Sequence, residues 1–132
     1  LNTMPRFSKN ERLCSKVLID NLFDKGQSFS VYPFRVLWMP ANFEMPYPAK
    51  VMISVPKKTF KHAVTRNLLR RRVKEIYRKN KDDFYQNLGQ LNMKCLLALI
   101  YTGREVMASS VLEPKIIVIL QRLIQENVKT VR

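Results

Sequence analysis

Three stretches of the chain repeat apolar residues at the spacing of one helix face. The first follows Ser15, a suitable N-cap, and stops at Gly26. The second spans residues 62–79, and the third spans residues 113–127, where Pro114 suits a first helical turn. The repeated positions are Leu18, Ile19, Leu22 and Phe23, then Leu69, Val73, Ile76 and Tyr77, then Ile116, Ile117, Leu120, Leu123 and Ile124. This spacing predicts three amphipathic helices, the second extended through residues 81–92 by a polar helical stretch and turn.

Three other stretches have the composition of strands. Residues 29–39 are aromatic and β-branched and predict one strand, with Pro33 at an edge or a bulge because proline cannot donate to the ladder. Residues 51–55 alternate between two faces, and residues 95–101 form the unbroken apolar run of a central strand. The order α, β, β, α, β, α predicts one α+β or α/β domain over residues 1–132, with helices packed on a small sheet.

An aromatic row runs along one face of the strand predicted over residues 29–39. Tyr32, Phe34, Val36 and Trp38 share this face by the period of two. Such a row is either part of a core or a platform on which unpaired bases stack, and the sequence leaves both open. On the strand over residues 51–55, the small Ser54 suits a surface that the backbone of a binding partner approaches closely.

The amino-terminal residues are basic and show no sustained period. They predict a poorly structured segment over about residues 1–13, although Ser8 and Glu11 have the spacing of a capping box that could begin a helix. The absence of an apolar secretion signal there and the presence of only two cysteines, Cys14 and Cys95, favour a cytoplasmic protein with free thiols.

Charge changes the interpretation of the second helix. The chain has a net charge of +14 at pH 7, which indicates a polyanionic partner. Its longest apolar run is far too short to span a bilayer, so no membrane role is expected. Around the second helix, Glu75 is the single acid among Lys57, Lys58, Lys61, Arg66, Arg70, Arg71, Arg72, Lys74 and Arg78. Surface helices usually mix both signs, so this face is better explained by binding to phosphates than by simple exposure to solvent.

Candidate catalytic groups are few. His62 is the single histidine, which excludes a nuclease with a histidine pair, and Cys95 lies in the most apolar strand, where an inert core thiol is expected. The carboxylate pairs Asp20–Asp24 and Asp82–Asp83 fit solvated helix surfaces better than a metal centre. We therefore predict no catalytic or metal-binding residue in the protein itself.

The region around the second helix resembles the bacterial ribonuclease P protein subunit. Residues 53–58 read Ile-Ser-Val-Pro-Lys-Lys, and Ala63-Val64, Arg66-Asn67 and the basic helix follow in the family's order. Leu68 stands where the family usually has a second arginine. The resemblance implies a two-layer α+β fold of the ribosomal protein S5 domain 2-like type, in the order α-β-β-(β)-α-β-α, with one further short strand and a left-handed βαβ crossover.

The same resemblance implies a role. The protein would assist a catalytic RNA in removing the 5′ leader of precursor tRNA, would be inactive alone, and would act as a monomer in a ribonucleoprotein. Mg²⁺ would be bound mainly by the RNA, and the protein would promote its affinity for this ion. Contacts to the catalytic RNA would come from Arg66, Asn67, Arg70, Arg71, Lys74 and Arg78. The leader-binding cleft would comprise Phe23, Phe34, Trp38, Ser54, Lys57 and Lys58, while Ile19 replaces a second aromatic of that cleft and suits the core.

Two alternatives share the same charge pattern. A ribosomal or other structural RNA-binding protein would bind RNA without affecting any cleavage. A DNA-binding protein would use Asn67, Arg70, Arg71 and Lys74 in the major groove, but the strand before the helix and the lack of a helix-turn-helix pair disfavour it.

Overall fold

The computed structural model describes residues 7–131, and side chains up to residue 129. After a 3₁₀ turn, three helices and four strands follow one another in the predicted order, which includes the additional strand. They are α1 (Lys16–Lys25), β1 (Gln27–Val31), β2 (Phe34–Pro40), β3 (Ala49–Ser54), α2 (Ala63–Gln90), β4 (Cys95–Tyr101) and α3 (Ser109–Val131). None of the helices described is long and apolar enough to cross a membrane.

The strands form one mixed sheet in the order β1-β2-β4-β3. The pairs β1–β2 and β2–β4 are antiparallel, whereas β3 and β4 are parallel and are joined by α2. The prediction of a central strand over Cys95–Tyr101 is confirmed, since β4 lies between two strands and its apolar residues face both sides. Helices α2 and α3 pack on one face of the sheet, and α1 packs against part of the other face.

The stretch predicted as a single strand over residues 29–39 is a hairpin. Strands β1 and β2 are joined at Tyr32–Pro33, whose peptide bond is cis, and Val31 pairs with Phe34. Proline therefore occupies a turn, where it needs no ladder hydrogen bond, rather than the edge or bulge we expected.

Helix α1 has the predicted ends. The Ser15 hydroxyl accepts a hydrogen bond from the Leu18 amide at 3.4 Å, and the Gly26 amide donates to the Leu22 carbonyl at 2.9 Å. A Cβ at Gly26 would lie 2.3 Å from that carbonyl oxygen, so the chain can enter β1 this closely only with glycine. The fully buried Leu22 anchors the helix against β2.

Helix α2 confirms the amphipathic pattern and merges two predicted segments. Leu69, Val73 and Tyr77 are fully buried, and the helix continues without a break through the region expected as an extension. Asn92 follows in the left-handed region with φ 53°, and the Met93 amide donates to the Leu88 carbonyl, which closes the end of the helix.

Helix α3 begins one turn earlier than the sequence indicated. We expected residues 113–127 with Pro114 in the first turn, but the helix starts at Ser109 and Pro114 lies inside it. The amides of Val111 and Leu112 both donate to the Ala108 carbonyl and form that additional turn.

Residues 7–13 are ordered, contrary to the expectation of a poorly structured segment, while residues 1–6 lie outside the described part of the chain. Lys9–Glu11 form a 3₁₀ turn, Leu13 is buried, and the Leu13 amide donates to the Val51 carbonyl at 2.9 Å. Glu11, 1% exposed, forms an ion pair with Lys81 of α2 at 2.5 Å. A buried carboxylate thus fastens the segment to the second helix.

Acid should loosen this attachment. Burial opposes ionisation of Glu11, but hydrogen bonds from Lys81, the Ser8 amide and Tyr85 outweigh it and lower the pKa of Glu11 in the folded protein. A lowered folded pKa stabilises the protein above the unfolded pKa of about 4.3, and this stabilisation disappears as the pH falls through the folded value. In urea unfolding, Glu11→Gln should cost about 2 kcal/mol at pH 7, and the difference from wild type should shrink below about pH 4. A difference that does not change with pH would contradict the assignment.

Candidate nucleic-acid interface

The polar face of α2 points away from the core because its opposite face is buried against the sheet. Asn67, Arg71 and Lys74 are exposed and Arg70 is half-buried, in the first half of the helix. They follow the loop that leaves β3, so this end of the helix stands beside that edge strand.

A groove of about 500 Å³ runs between α2, β3 and the amino-terminal segment, and we call it the basic groove. Its polar lining consists of Arg12, Cys14, Asn67, Arg70, Arg71 and Lys74, and its apolar lining consists of Phe7, Leu13, Val51, Met52 and Ile53. None of these lining residues is acidic. Cationic side chains above an apolar strand surface provide charge for phosphates and contact area for sugars and bases.

Two of the six residues assigned to the catalytic RNA do not line the basic groove. Arg66 donates to the backbone carbonyls of Phe60 and Lys61 at 2.8 and 2.9 Å and so braces the loop before α2. Arg78 forms an ion pair with Glu75 at 2.5 Å, which holds the pKa of that carboxyl below its usual range. Within the groove, Arg70 donates to the Asn67 side-chain carbonyl, which orients both groups.

Arg72 has a structural contact on the other side of the helix. Its guanidinium donates to the Met107 carbonyl at 2.7 Å, in the connection between β4 and α3. Leu68, which stands in place of an arginine of the family pattern, is 36% exposed. Arg72 is therefore held at the connection that leads into α3 rather than presented beside the groove residues.

Some of the residues assigned to a leader cleft are buried in the core, and the others lie at the surface. Phe34 and Trp38 are each 1% exposed and lie in the core between the sheet and helices α2 and α3. Their assignment to the cleft was therefore wrong. The row along β2 faces the helices, so Phe34 and Trp38 are core residues and offer no surface to a base. Phe23 is 51% exposed on α1, and Ile19 packs partly buried against the sheet as expected.

The remaining cleft candidates lie at the carboxyl end of β3. Ser54 is half-buried on the last position of the strand, and Lys57 and Lys58 are exposed in the loop that follows. Lys58 also lines a second groove of about 580 Å³, together with Thr59, Thr102 and Arg104. The structure thus brings Lys58 close to Arg104, a residue that the sequence pattern did not indicate.

Arg12 is the cationic residue of the basic groove that sequence reasoning missed. It is exposed beside the buried Glu11 and pairs through its backbone with Val51 of β3. The capping-box spacing of Ser8 and Glu11 was the available signal that this segment is ordered, since the Ser8 amide does donate to the Glu11 carboxylate at 2.9 Å.

The titratable groups offer little chemistry. His62 is the exposed N-cap residue of α2 and makes no side-chain capping bond. Cys95 is completely buried, and burial raises the pKa of its thiol to about 12, which suits an inert core residue. Among residues 7–131, no cluster of three or more His, Cys, Asp or Glu side chains could hold a metal ion.

Comparison with known proteins agrees with these features. The sequence model of the family described as Ribonuclease P matches residues 7–113. The ribonuclease P protein component of Porphyromonas gingivalis is 40% identical over 99 residues, which cover 75% of this chain and 72% of that protein.

Solved structures show the same fold. The Staphylococcus aureus RNase P protein superposes with a TM-score of 0.69 at 18% identity, over 86% of this chain and 94% of that one. The Thermotoga maritima RNase P protein gives a TM-score of 0.64 at 24% identity, over 85% and 96% of the two chains. The resemblance seen around α2 is thus confirmed over most of the chain, which belongs to the ribonuclease P protein family, whose members are protein subunits of a tRNA-processing ribonuclease.

Proposed function

We propose that the basic groove binds the ribonuclease P RNA, and that the protein thereby assists this RNA in removing the 5′ leader of precursor tRNA. The observation that supports this most strongly is the convergence of Asn67, Arg70, Arg71 and Lys74 on one groove whose lining contains no acid. Arg66 contributes indirectly, by bracing the loop before α2, whereas Arg78 pairs with Glu75 outside the groove lining. The catalytic groups are assigned to the RNA partner.

Mg²⁺ is assigned mainly to the RNA as well. Phosphate oxygens are the hard ligands that Mg²⁺ prefers, usually with several retained waters. The protein's contribution is to fix RNA phosphates with the groove cations, so that the RNA strands around the ion keep their geometry. A monomeric protein in a cytoplasmic ribonucleoprotein is the assembly we propose.

The leader is assigned to the α1 side of the sheet. Phe23 offers an exposed aromatic face there, and Met52, Ser54 and Ile100 leave that sheet face partly uncovered. Lys57 and Lys58 would hold the leader backbone where it leaves the sheet. Phe34 and Trp38 have no place in this path because they are buried on the opposite face.

Reconstitution tests the proposed function. The protein is mixed with a bacterial ribonuclease P RNA at low Mg²⁺ concentration, and release of the 5′ leader from precursor tRNA is followed. The expected result is stimulation over the RNA alone and no cleavage by the protein alone. RNA binding without any stimulation would favour a structural RNA-binding protein, and cleavage by the protein alone would contradict the assignment of catalysis to the RNA.

Phe23→Ala should weaken binding of leader-bearing precursor tRNA selectively. The loss of one stacked base corresponds to about 1 kcal/mol, or about fivefold in the dissociation constant, with little change for mature tRNA. The measurement compares both tRNAs on the reconstituted ribonucleoprotein. Val17→Ala is the matched control, because Val17 is 69% exposed on the same helix. Equal losses for precursor and mature tRNA would refute the assignment of Phe23 to the leader.

A further inference from the structure

The amino-terminal segment forms a wall of the basic groove, although it is far from α2 in sequence. Arg12 and Cys14 line the groove opposite the residues of α2. The segment is fixed to β3 by the hydrogen bond that the Leu13 amide donates to the Val51 carbonyl, and the Lys50 ammonium donates to the Asn10 carbonyl at 3.0 Å. The groove therefore exists in this form only while the segment stays docked.

A buried polar cluster fastens the segment to α2. Glu11 and Lys81 are 1% and 5% exposed, and Tyr85 donates to the same Glu11 oxygen as Lys81, at 2.7 Å. The Tyr85 hydroxyl also lies 3.0 Å from that of Tyr77. The Lys81 ammonium lies 5.5 Å from the centre of the Tyr85 ring. Both carboxylate oxygens therefore accept hydrogen bonds, one from the Ser8 amide and the other from Lys81 and Tyr85 of α2.

Relative to an apolar pair of similar volume, such a pair contributes geometry more than stability, although removing one partner alone leaves a buried charge unpaired and destabilises the fold. Desolvation of two charges offsets most of their attraction, and an apolar pair of similar volume is often at least as stable. A buried pair with specific hydrogen bonds does, however, allow only one placement of the segment. Glu11 and Arg12 are consecutive, yet Glu11 is buried against α2 whereas Arg12 is exposed and lines the groove, so the two side chains lie on different sides of the segment. Fixing Glu11 inward directs Arg12 outward into the groove.

We propose that the Glu11–Lys81 pair is a positioning device for RNA binding, which holds Arg12 at the wall of the basic groove without itself touching the RNA. The proposal rests on the proposed function of that groove. Glu11 and Lys81 act through Arg12, so they are positioning residues rather than contact residues.

The sign of the effect separates this proposal from simple electrostatics. Glu11→Gln removes a negative charge, and on long-range electrostatics alone it should strengthen binding to a polyanion. If the pair positions Arg12, the same substitution should weaken binding instead. We expect Arg12→Ala to weaken binding of ribonuclease P RNA about tenfold, and Glu11→Gln to weaken it about three- to tenfold.

A double-mutant cycle tests the route through Arg12. Because Glu11 acts through Arg12, the variant Arg12→Ala/Glu11→Gln should bind within about twofold of Arg12→Ala alone. Lys79→Met is the matched control, since it removes an exposed charge from the same helix outside the groove lining, and its effect should multiply with that of Arg12→Ala. If Glu11→Gln does not fold, Tyr85→Phe is tested in its place, because it removes only one hydroxyl from the cluster.

The outcomes distinguish the two claims. Tighter or unchanged binding by Glu11→Gln, or losses that multiply between Glu11→Gln and Arg12→Ala, would overturn the positioning role while leaving the groove assignment intact. Failure of the wild-type protein to bind the RNA, or full binding by Arg70→Ala/Arg71→Ala, would instead contradict the proposed function. Circular dichroism of each variant at the temperature of the binding assay establishes that the folded states are compared.

Discussion

Replacing Arg70 and Arg71 together by alanine is expected to weaken binding of the ribonuclease P RNA by about 30- to 100-fold, since each lost hydrogen bond to a solvent-exposed phosphate contributes about 1–1.4 kcal/mol net. Both residues line the basic groove, and their loss leaves Arg12 and Lys74 as its cations. The slope of log affinity against log salt concentration should also fall by about 0.7–0.9 for each lost phosphate contact. Binding titrations at several salt concentrations measure both quantities.

The control for this variant removes the same charge elsewhere. Lys115→Ala/Lys129→Ala takes two exposed lysines from α3, neither of which lines the basic groove. It should change the affinity far less and leave the slope nearly unaltered. If the two double variants lose affinity and slope equally, the RNA responds to net charge, and the groove is not its binding site.

Trp38→Ala is expected to destabilise the folded protein by about 3–5 kcal/mol, the usual cost of truncating a large buried aromatic residue. Trp38 is 1% exposed, and its neighbours across the sheet are Gln27 of β1 and Leu97 of β4. Its ring fills the core between the sheet and the two long helices, so its loss leaves a cavity that the surrounding side chains fill only partly. Urea unfolding measures the change.

The same variant also tests whether Trp38 is a core residue or a leader-binding residue. At a temperature where it remains folded, Trp38→Ala should bind precursor tRNA within about twofold of wild type, since distant sites act independently. Phe43→Ala is the matched control because Phe43 is an aromatic residue that is 40% exposed, and it should alter stability little. Native-like stability of Trp38→Ala, combined with a selective loss of leader binding, would show that Trp38 belongs to the leader cleft and not to the core.

Strong apolar patterns predicted the limits of some helices and strands to within one residue. The limits of β4 match the predicted Cys95–Tyr101, and the start of α2 differs from the predicted region by one residue. The apolar repeat of α2 allows only one buried face, and the unbroken apolar run of β4 suits a strand that is buried on both faces. The hairpin at Tyr32–Pro33 was missed because the apolar composition continues through the turn and a local pattern does not show where a chain reverses.

The sequence predicted site residues correctly where they share one helix face. It failed where contacts between distant segments determine whether a side chain is exposed. Asn67, Arg70, Arg71 and Lys74 converge as expected, since helical spacing alone places them together. The period of two correctly placed Phe34 and Trp38 on one face, but only the positions of α2 and α3 determine that this face is the core. The bond from Arg66 to the Phe60 carbonyl depends on the loop conformation and has no sequence signature.

The Glu11–Lys81 pair lies beyond local reasoning altogether. The two residues are 70 positions apart, and each resembles an ordinary surface charge in its own segment. Their burial depends on the docking of the amino-terminal segment across α2, which follows from the assembled fold.

The most direct test of the basic groove uses the cysteines of the chain. Cys14 is exposed at the groove, whereas Cys95 is buried, so a thiol-directed hydroxyl-radical probe should modify Cys14 selectively. In the complex with ribonuclease P RNA, we expect strong RNA cleavage near one site, and no such cleavage from a probe on Lys115→Cys in a Cys14→Ser background. RNA cleaved from the α3 probe but untouched by the Cys14 probe would contradict the groove as the binding surface.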